Sequence, residues 1–597
     1  MSIARLKKVS ICGLLAEKRE LLKQLQALGC MHILPLVPAP AEVEAVASGR
    51  AEGARKALRF LNDAPQKRRQ VREPNGFDLK GVIAQVNGLK QHLRDAEDRR
   101  DFLADRIQAV EPWGAIEFPP LQHLDGQRLW FYTLPSHQAK ALQSLDLPWQ
   151  IMHRDHRVTH AVLISAEEPD RDILPVPRTH VGAKSLHELR DELNIAELEL
   201  EDLQAERWSL TRYIYLLSVN LADAENQASL RRAQQQTLDD DAIVAVQGWV
   251  PEKSLEQLQT LVDQNQLACV IEDPKPDEEP PTLIDQPDQR AAGADLAVFY
   301  QVPAYRSWDP SRVLVVSFCV FFAMILSDAG YGLLMLAGLL LLWRRMGTTV
   351  KLRAYRGLGL ALSGATIGYG ALVGSYFGLT PAPDSWLGRI HLLNVDDFDT
   401  MMRISITLGV VHVTLANLMM AWSRRGQLDA WSNMGWALIV IAGLVWWLAA
   451  AHAALQTAAM VLGGLGLLMV VLFTSRRKVQ RGRDHIWRLF EGIFSLTKLM
   501  NLFGDVLSYM RLFALGLASA SLAITFNGLA RDAYEAISGP GLLVAALIIL
   551  VGHVLNLALA LMSGVVHGLR LNYIEFYKWG LPEEGTAFRK FARKEVR

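Results

Sequence analysis

Apolar and polar positions divide the chain into two halves of different character. From about residue 311 onward, long apolar runs dominate, and most approach the ~20 residues that a helix needs to cross a bilayer. Eight spans can be drawn, at 311–328, 329–343, 357–378, 402–422, 435–452, 455–474, 497–528 and 541–570. The pattern predicts an all-α membrane domain of about eight transmembrane helices. The sequence "SDAGYG" predicts a tight turn between the first two spans.

The first half alternates short strand-like runs with charged helical stretches. "KKVSICGLL" and "CMHILPL" are typical of strands on either side of the amphipathic helix "EKRELLKQLQALG". "LWFYTLP" and "THAVLISA" predict two more strands, and "AIVAVQGWVPE" predicts a further strand that leads into a helix. We therefore expect two small α/β lobes, the second of which contains Gly248–Glu252.

Two long helical segments, at 80–110 and 185–230, accompany these strands. In the second segment apolar residues recur at alternating steps of three and four, which is a heptad seam with Arg207 at one seam position. The apolar seam residues are Leu186, Leu189, Leu193, Ala196, Leu200, Leu203, Leu210, Ile214 and Leu217. One seam cannot bury itself, so the 80–110 helix is its expected antiparallel partner. The predicted fold class is an α+β cytoplasmic arm, with two α/β lobes joined by a coiled-coil hairpin, followed by the all-α membrane domain.

A proline-rich, acidic stretch, "EDPKPDEEPPTLIDQPDQ", lies between the two halves and predicts a linker. The expected domains follow from it. They are an arm at 1–290, a linker and approach to the membrane at 273–310, the membrane domain at 311–578 and a basic cytoplasmic tail at 579–597.

Composition narrows the functional classes. The 597 residues carry a formal net charge of zero, which argues against a general nucleic-acid binder. Cys12, Cys30, Cys269 and Cys319 form no CxxC pair and have no nearby histidine cluster, so we expect free thiols in a reducing compartment. The chain shows no phosphate-binding GxxxxGK[ST] loop, no Rossmann glycine cluster and no HExxH. We expect a protein that is not an enzyme on its own and needs no cofactor or metal.

Charges in the loops predict the orientation in the membrane. The loop after the second span, the Arg424–Arg425 pair after the fourth, the segment "SRRKVQRGRDHIWR" after the sixth and the tail "FRKFARKEVR" are basic. The loop after the third span is acidic, and the loop after the fifth lacks Lys and Arg. By the positive-inside rule, the N-terminus, the even-numbered loops and the C-terminus face the cytoplasm. The start of the chain shows no secretory signal, which agrees with this orientation.

Ionisable residues inside the spans are few, and a charge at membrane depth costs at least ~2.5–3.5 kcal/mol on insertion scales. Such residues face protein or water and commonly mark functional sites. The candidates are Asp328, His412, Asp505, Arg511, His553, His567 and Arg570, with Glu491 and Lys498 at the cytoplasmic approach to the seventh span and Glu575 just beyond the last span. For His412 and His553 we expect interhelical hydrogen bonds rather than a relay role.

Arg511 stands near the middle of the seventh span, too deep for easy snorkelling. Asp505 lies six residues earlier and therefore on a different face of the helix. Two interpretations remain: an ion pair with a neighbouring span, or an arginine exposed to a moving partner or an ion path. Small residues that predict a smooth face for another helix follow it: Ala514, Gly516, Ala518, Ser519, Ala520 and Ser521.

His567 and Arg570 lie three residues apart on the eighth span and share a helix face. Two interpretations are open for this pair. The two side chains either form a wet cationic cluster with Arg511 or snorkel to the cytoplasmic interface, since Arg570 is near the end of the span.

Seven segments, taken in order, resemble one protein family. They are "KKVSICGLLAEKRELLKQLQALGCMHI", "GWVPE", "EEPPTLI", "YQVPAYRSWDPS", "SDAGYG", "LSYMRLFALGLA" and "HGLRLNYIEFY". With eight spans in addition, essentially the whole chain resembles the membrane stator subunit of V-type and archaeal-type (V/A) rotary ATPases. This subunit is called subunit I in prokaryotes and subunit a in eukaryotes.

The resemblance implies roles for particular residues. The family's essential arginine corresponds to Arg511 and its partner on the last span to Arg570, while His567 and the acidic residues match polar positions less specifically. The candidate ion-translocation residues are Arg511, Arg570, His567, Glu491, Glu575 and Asp505. Ala560 stands where eukaryotic relatives carry a glutamate, so the resemblance leaves the residues of the non-cytoplasmic half-channel open.

The resemblance also implies partners. A ring of proteolipid helices would rotate past spans seven and eight, each helix carrying one carboxylate that is neutral in lipid and anionic near Arg511. Peripheral-stalk heterodimers of the E/G type would bind the arm, and the central-stalk socket subunit is a further candidate. The expected location is a prokaryotic plasma or inner membrane, and the transported ion is H⁺ or Na⁺.

Two other functions fit parts of the sequence. A secondary transporter could use Arg511 to bind an anionic substrate, but it predicts inverted repeats with matched broken helices, and the sequence shows none. A membrane-anchored coiled-coil tether explains the long helices and leaves Arg511 and the face with His567 and Arg570 without a role. Substitution of Arg511 separates these alternatives, because a tether should tolerate it.

Overall fold

A computed structural model describes most of the chain and divides it into two compact units. The described residues are 3–37, 42–73, 76–114, 125–170, 173–182, 184–285, 291–394, 397–477, 482–536, 540–581 and 583–596. The membrane unit comprises Met1–Gly13, Cys30–Leu34 and Ala245–Lys590. The arm unit comprises Leu14–Gly29, Pro35–Val244 and Phe591–Arg597.

Helices dominate the described residues. The helices are α1 Lys18–Leu28, α2 Glu42–Asn62, α3 Leu79–Val110, α4 Leu186–Leu210, α5 Ile214–Gln236, α6 Leu255–Gln264, α7 Ala291–Tyr300, α8 Ser311–Leu326, α9 Ala329–Leu341, α10 Val350–Val373, α11 Phe398–Ser423, α12 Asp429–Leu448, α13 Ala453–Phe473, α14 Gly482–Ser495, α15 Lys498–Leu507, α16 Met510–Ala536, α17 Gly541–Arg570 and α18 Tyr577–Gly580. The strands are β1 Leu6–Leu14, β2 His32–Leu34, β3 Arg128–Pro135, β4 Trp149–Arg154, β5 Val158–Ser165, β6 Leu238–Asp240, β7 Ile243–Pro251 and β8 Ala268–Glu272. The prediction of a mainly helical chain with sheets in its first half and apolar helices in its second is confirmed.

Two long antiparallel helices form the centre of the arm unit. One apolar cluster joins Val86 and Leu89, near the start of α3, to Leu200 and Leu217 of α4 and α5. A second cluster joins residues near the end of α3 to the start of α4. The seam predicted from the heptad spacing is therefore buried against the predicted partner helix, while the supercoil itself stays a prediction.

Local signals in the sequence set where these two helices begin. Asp78 caps α3 by accepting a hydrogen bond from the Lys80 amide, at 3.0 Å. Ser185 and Glu188 form a capping box at the start of α4, in which the Glu188 amide donates to Ser185 Oγ at 3.2 Å and the Ser185 amide donates to Glu188 Oε2 at 2.7 Å.

The arm unit also contains a three-stranded antiparallel sheet in the order β3–β5–β4. Trp130 pairs with Leu163 in its register, and inward-facing residues of both strands pack around Leu142 and Leu174. The strands predicted from "LWFYTLP" and "THAVLISA" are thereby confirmed.

The C-terminal residues belong to the arm unit. Asn226 of α5 holds Lys594 at both backbone groups, since the Lys594 amide donates to Asn226 Oδ1 at 2.8 Å and Asn226 Nδ2 donates to the Lys594 carbonyl at 3.1 Å. Glu225 forms ion pairs with Lys594, at 2.6 Å, and with Arg55. Burial raises the pKa of Glu225, but its two cationic partners lower it further, so the net shift of this pKa is downward.

The strands of the membrane unit form one sheet in the order β2–β7–β1–β8. Trp249 of β7 pairs with His32 of β2, and β1 pairs antiparallel with β8. The expectation that Gly248–Glu252 belongs to a second lobe is therefore wrong, because β7 inserts between the two N-terminal strands. All four cysteines are free, as predicted.

Apolar helices make up the rest of the membrane unit. Among the described residues, five helical segments are long and apolar enough to cross a membrane: Phe398–Ser423, Asp429–Leu448, Ala453–Phe473, Arg483–Ala536 and Gly541–Gly580. Ser311–Leu326 and Ala329–Leu341 are shorter apolar helices, and α10 occupies the place of the third predicted span. The eight-span count stays a prediction.

The predicted turn between the first two spans is present. Ser327 ends α8 in a left-handed conformation with φ of 50°, and Asp328 caps α9 by accepting from the Tyr331 amide at 3.0 Å. Gly370 of α10 packs against this turn so closely that a Cβ there would lie 2.1 Å from the Ala329 amide nitrogen. Only glycine fits at that position.

The substitution Leu217→Ala tests the core of the arm unit. Leu217 is 0% exposed in the cluster with α3, so we expect its truncation to destabilise this core by about 2–5 kcal/mol. Leu198→Ala, at a side chain of α4 that is 54% exposed, is the matched control. Hydrogen exchange of Leu79–Val110 peptides in the purified full-length protein should accelerate only in the Leu217 variant. Equal exchange in the two variants would contradict the assigned core.

Candidate functional site

A break in the helix that follows Ser495 sets the position of Arg511. α15 ends at Leu507, Ser508 and Tyr509 form a turn, and α16 begins at Met510. The Arg511 amide donates to the Ser508 carbonyl at 3.3 Å, which is the short-range bonding of a tight turn. Arg511 therefore projects from the first turn of α16. The predicted seventh span, 497–528, lies within the helical segment Arg483–Ala536, and a two-residue turn interrupts its helix at this point.

Tyr509 anchors the break in the protein interior. Its side chain is fully buried, and its hydroxyl forms a hydrogen bond of 2.7 Å with Nδ1 of His412 on α11. Its ring packs on Gly409, where a Cβ would lie 2.7 Å from Tyr509 Cγ. The expected interhelical hydrogen bond of His412 is thus confirmed.

His412 also contacts the segment that follows α17. Its ring stacks on Phe576 with centroids 4.3 Å apart and planes at 12°. Phe321 of α8 packs edge-on against the same imidazole, at 5.0 Å. One buried histidine therefore joins the break before Arg511 to the chain just after Arg570.

That segment, Leu571–Phe576, is a π-helix that continues directly from Arg570. Asn572 accepts from Ser317 Oγ at 2.5 Å and donates to the Gly568 carbonyl at 3.0 Å. Tyr573 donates to the Leu296 carbonyl at 2.8 Å. These hydrogen bonds stabilise the π-helix. π-helical turns are rare in proteins and occur frequently at functional sites.

Five of the six predicted site residues meet in one electrostatic cluster. Arg511 interacts with Arg570 and Glu575, His567 interacts with both arginines, and Glu575 interacts with Asp505 as well. α16 and α17 run antiparallel, as the pairing of Ser519 with Asn556 and of Phe526 with Gly552 shows. This arrangement brings the start of α16 beside the end of α17.

The cluster contains polar atoms without partners among the described residues. Arg511 Nη1, His567 Nδ1 and Glu575 Oε2 are buried atoms for which the described part of the chain supplies no hydrogen-bond partner. Arg511 is partly buried, Glu575 is buried and Arg570 is exposed. Of the two interpretations of Arg511, the ion pair with a neighbouring span is not formed among the described residues.

Asp505 has partners other than Arg511. It accepts from Lys578 Nζ at 2.8 Å and from Trp579 Nε1 at 2.8 Å. The aspartate thus joins α15 to α18.

Glu491 lies outside the cluster. Its carboxylate accepts from Ser475 Oγ at 2.5 Å and pairs with Arg477 at 3.5 Å, which joins α14 to the residues that follow α13. The structure therefore shows a local structural contact for Glu491, and a role in an ion path stays a prediction.

The small residues after Arg511 occupy two faces of α16 rather than one. Ala514, Ala518 and Ser521 are exposed and continue the side from which Arg511 projects. Gly516, Ser519 and Ala520 are buried, and a Cβ at Gly516 would lie 2.5 Å from the Met324 carbonyl of α8. The buried face packs α16 against other helices of the membrane unit. The exposed face has side chains small enough for a further helix to approach closely.

The arrangement can stabilise a carboxylate that approaches from outside the chain. An arginine stays protonated at all working pH values, and the fork of donors on its guanidinium matches a carboxylate. Arg570 adds positive charge beside it, whereas the acidic Glu575 opposes the excess of positive charge. The residues the structure describes contain no group of three or more His, Cys, Asp or Glu side chains that could hold a metal ion.

Sequence reasoning missed the structural roles of Tyr509 and Phe576 and the π-helix. Aromatic residues directly before Arg511 and after Arg570 were visible in the sequence. Nothing in the local pattern, however, places the two rings on the same histidine of α11.

Comparisons with known proteins identify similar sequences. A model of the V-type ATPase 116kDa subunit family matches residues 192–353. V-type ATP synthase subunit I of Chlamydia pneumoniae is 24% identical over 90% of this chain and 88% of its own length. The subunit I of Borreliella burgdorferi is 26% identical over 99% of both chains. A-type ATP synthase subunit I of Methanocaldococcus jannaschii is 28% identical over 68% of this chain and 64% of its own.

One solved structure, the cytoplasmic N-terminal domain of subunit I, a homolog of subunit a of V-ATPase, covers 44% of this chain and 99% of its own. Its sequence identity is 17% and its TM-score is 0.23, which is too low for an argument about the fold.

The substitution Tyr509→Phe tests the anchor of the break before Arg511. It keeps the ring and removes the hydroxyl, which leaves His412 Nδ1 buried without its partner at a cost of about 1–3 kcal/mol. The thermal unfolding midpoint of the purified protein in detergent should fall. Tyr534→Phe, at an exposed tyrosine of α16, is the control and should leave the midpoint unchanged. Identical midpoints in the two variants would show that the bond does not stabilise the site.

Proposed function

Because the chain belongs to the V-type ATPase 116 kDa subunit family, we propose that it forms an ion path between itself and a ring of proteolipid helices. It is an integral membrane protein whose described part includes five helices long and apolar enough to cross a bilayer. Its relatives are named as subunit I of ATP synthases. In this proposal the chain is the static membrane subunit of a rotary ATPase or ATP synthase and binds no nucleotide itself.

The observation that carries the proposal is the incomplete pairing of Arg511. Its Nη1 is buried and has no hydrogen-bond partner in the described part of the chain, and it lies next to a second arginine. Such a charge is costly at membrane depth unless a partner or water completes its coordination. A carboxylate on a neighbouring rotor helix supplies the missing partner.

The exposed face of α16 supports a moving partner. Ala514, Ala518 and Ser521 continue the line of Arg511 with side chains too small to obstruct a helix that slides past. Each rotor carboxylate would lose its proton as it reaches Arg511, because an opposite charge within ~4–6 Å favours the ionised form. It would regain a proton before it returns to lipid, where the charged form is too costly.

Contacts at one end of the helical bundle support the predicted orientation. Arg424, after the fourth predicted span, and Arg476, after the sixth, both bind Asp429, at 2.8 and 2.9 Å. Arg424 also binds Glu583, beyond the last span, at 2.5 Å. Two even-numbered loops and the C-terminal region therefore share one end of the membrane unit. We assign that end to the cytoplasm.

The arm unit is the proposed attachment for peripheral-stalk heterodimers. Phe102 of α3 and Ile195 of α4 are 63% and 58% exposed, although their neighbours Leu103 and Ala196 are buried in one cluster. Large apolar side chains on the outer sides of paired helices are typical of sites that another helix covers. The proposed stalk attachment therefore rests on the exposure of Phe102 and Ile195.

The substitution Arg511→Ala tests the ion path. ATP-driven ion pumping by the intact complex in membrane vesicles should fall about 10²-fold or more, because the charge that stabilises the carboxylate is lost. Arg531→Ala, at an exposed arginine of the same helix that is paired with Glu535, is the control and should pump normally. A pull-down verifies assembly. Normal pumping by an assembled Arg511→Ala complex would reject the proposal and favour a tether.

The double substitution Phe102→Glu with Ile195→Glu tests the stalk attachment. Two charges at an apolar contact should weaken capture of stalk heterodimers by about tenfold or more, since each buried unpaired charge opposes binding. The matched control is Phe299→Glu, at an exposed phenylalanine of the membrane unit. Stalk binding equal to wild type in the double variant would remove this surface from the proposal.

A further inference from the structure

A second set of polar side chains lies between α9, α16 and α17, away from the cluster around Arg511. His553 of α17 is bonded at both ring nitrogens, to the Tyr331 hydroxyl at 2.8 Å and to Asn527 Oδ1 at 3.0 Å. Because an amide oxygen only accepts, His553 Nε2 carries a proton and Nδ1 accepts from Tyr331. The expected hydrogen bond of His553 is present, but the imidazole has a partner on each side.

The bonds continue from Tyr331 toward the middle of α16. Asn556 Nδ2 donates to the Tyr331 hydroxyl at 3.0 Å and to the Ser519 carbonyl at 2.9 Å. Ser519 Oγ is buried and has no partner among the described residues. Ser519 follows Arg511 by eight residues, which is ~12 Å along the helix. The polar groups therefore lead from Asn527 toward the ion-path cluster.

Asn527 is the member of this polar set that lies next to exposed residues of α16. Asn527 is only partly buried, and its Nδ2 donates to the carbonyl of Phe377 at 2.8 Å. Phe377 belongs to the loop after α10, and its ring covers His553 edge-on at 5.8 Å. This loop follows the third predicted span, which the charge pattern assigns to the non-cytoplasmic side.

We propose that His553 is the proton-exchanging residue of the non-cytoplasmic access path, which Tyr331, Asn527, Asn556 and Ser519 line. This inference rests on the proposed function. During ATP-driven pumping a proton arrives from the side of Ser519 and binds Nδ1 as the Tyr331 hydroxyl turns away, which gives an imidazolium that is protonated at both nitrogens. Loss of the Nε2 proton past Asn527 to the exposed side leaves a neutral ring, and rotation of the ring returns its remaining proton to the Nε2 position. Burial opposes the cationic form of His553, and the Asp328 carboxylate offsets part of that cost electrostatically.

The same geometry indicates that the path carries protons rather than Na⁺. Asp328 is the carboxylate that faces this set, and four donors already occupy its oxygens. Tyr331 N and Phe377 N donate to Oδ1 at 3.0 and 2.9 Å, and Ser375 Oγ and Gly378 N donate to Oδ2 at 2.6 and 2.9 Å. A sodium ion needs several free oxygen ligands, and an imidazole with amide and hydroxyl neighbours suits proton transfer instead.

Substitution at His553 in the intact complex tests this inference. ATP-driven proton uptake into proteoliposomes is measured for His553→Phe, His553→Gln and Tyr331→Phe, with assembly checked by pull-down. Gln can keep hydrogen bonds but cannot exchange a proton as imidazole does. Both His553 variants should therefore pump about 10²-fold more slowly than wild type. His452→Gln, at an exposed histidine, is the control and should pump normally.

Three outcomes would overturn the inference. Wild-type pumping by His553→Gln would show that the histidine has only a structural hydrogen-bonding role. Wild-type pumping by an assembled Tyr331→Phe complex would show that the Tyr331 hydroxyl is not part of the path. If His553→Phe fails to assemble, the Tyr331→Phe variant supplies the test of the path. ATP-driven uptake of ²²Na⁺ that persists with a protonophore would contradict proton transport. Arg511→Ala is assayed in parallel, because pumping by that variant would reject the proposed function itself, whereas pumping by the His553 variants alone rejects only this inference.

Discussion

The cost of an incompletely paired charge at membrane depth governs the organisation of this protein. Arg511 carries such a charge on the first turn of α16, beside Arg570 and His567, with Glu575 as the buried acid. A bilayer does not tolerate that arrangement unless a further anion or water reaches it. Arg511 needs such an anion, and the small exposed residues that follow it leave room for one. A helix that carries a carboxylate can approach this face closely.

Buried aromatic and polar contacts hold this charge in place. Tyr509 and Phe576 meet on His412, so one imidazole connects the break before Arg511 with the π-helix after Arg570. A displacement of either arginine together with its backbone would also move Tyr509 or Phe576 relative to His412. Interiors packed at crystal-like density transmit such displacements rather than absorb them. Neutral side chains therefore position the break before Arg511 and the π-helix after Arg570.

The sequence predicted most of the elements, and its failures have physical causes. Periodicity located the strands of the first half and the helices of the second, and the i, i+3 spacing of His567 and Arg570 placed them beside one another. Pairing of β2 with β7 joins residues more than 200 positions apart, and local pattern carries no information on it. The break at Ser508 and Tyr509 has no Gly or Pro signal, because packing on Gly409 and His412 stabilises it. Glu491 contacts Ser475 and Arg477 outside the cluster, and its role in an ion path stays a prediction.

The central claim is that the face of α16 beginning at Arg511 contacts a rotating partner. Disulfide cross-linking tests it most directly, with Ala514→Cys in a complex whose four native cysteines are replaced and a cysteine next to the rotor carboxylate. The account predicts that oxidation forms the cross-link, stops ATP-driven rotation and is reversed by reduction. Exposed Leu468 of α13, changed to cysteine, should form none. Cross-linking at Leu468 but not at Ala514 would contradict the account.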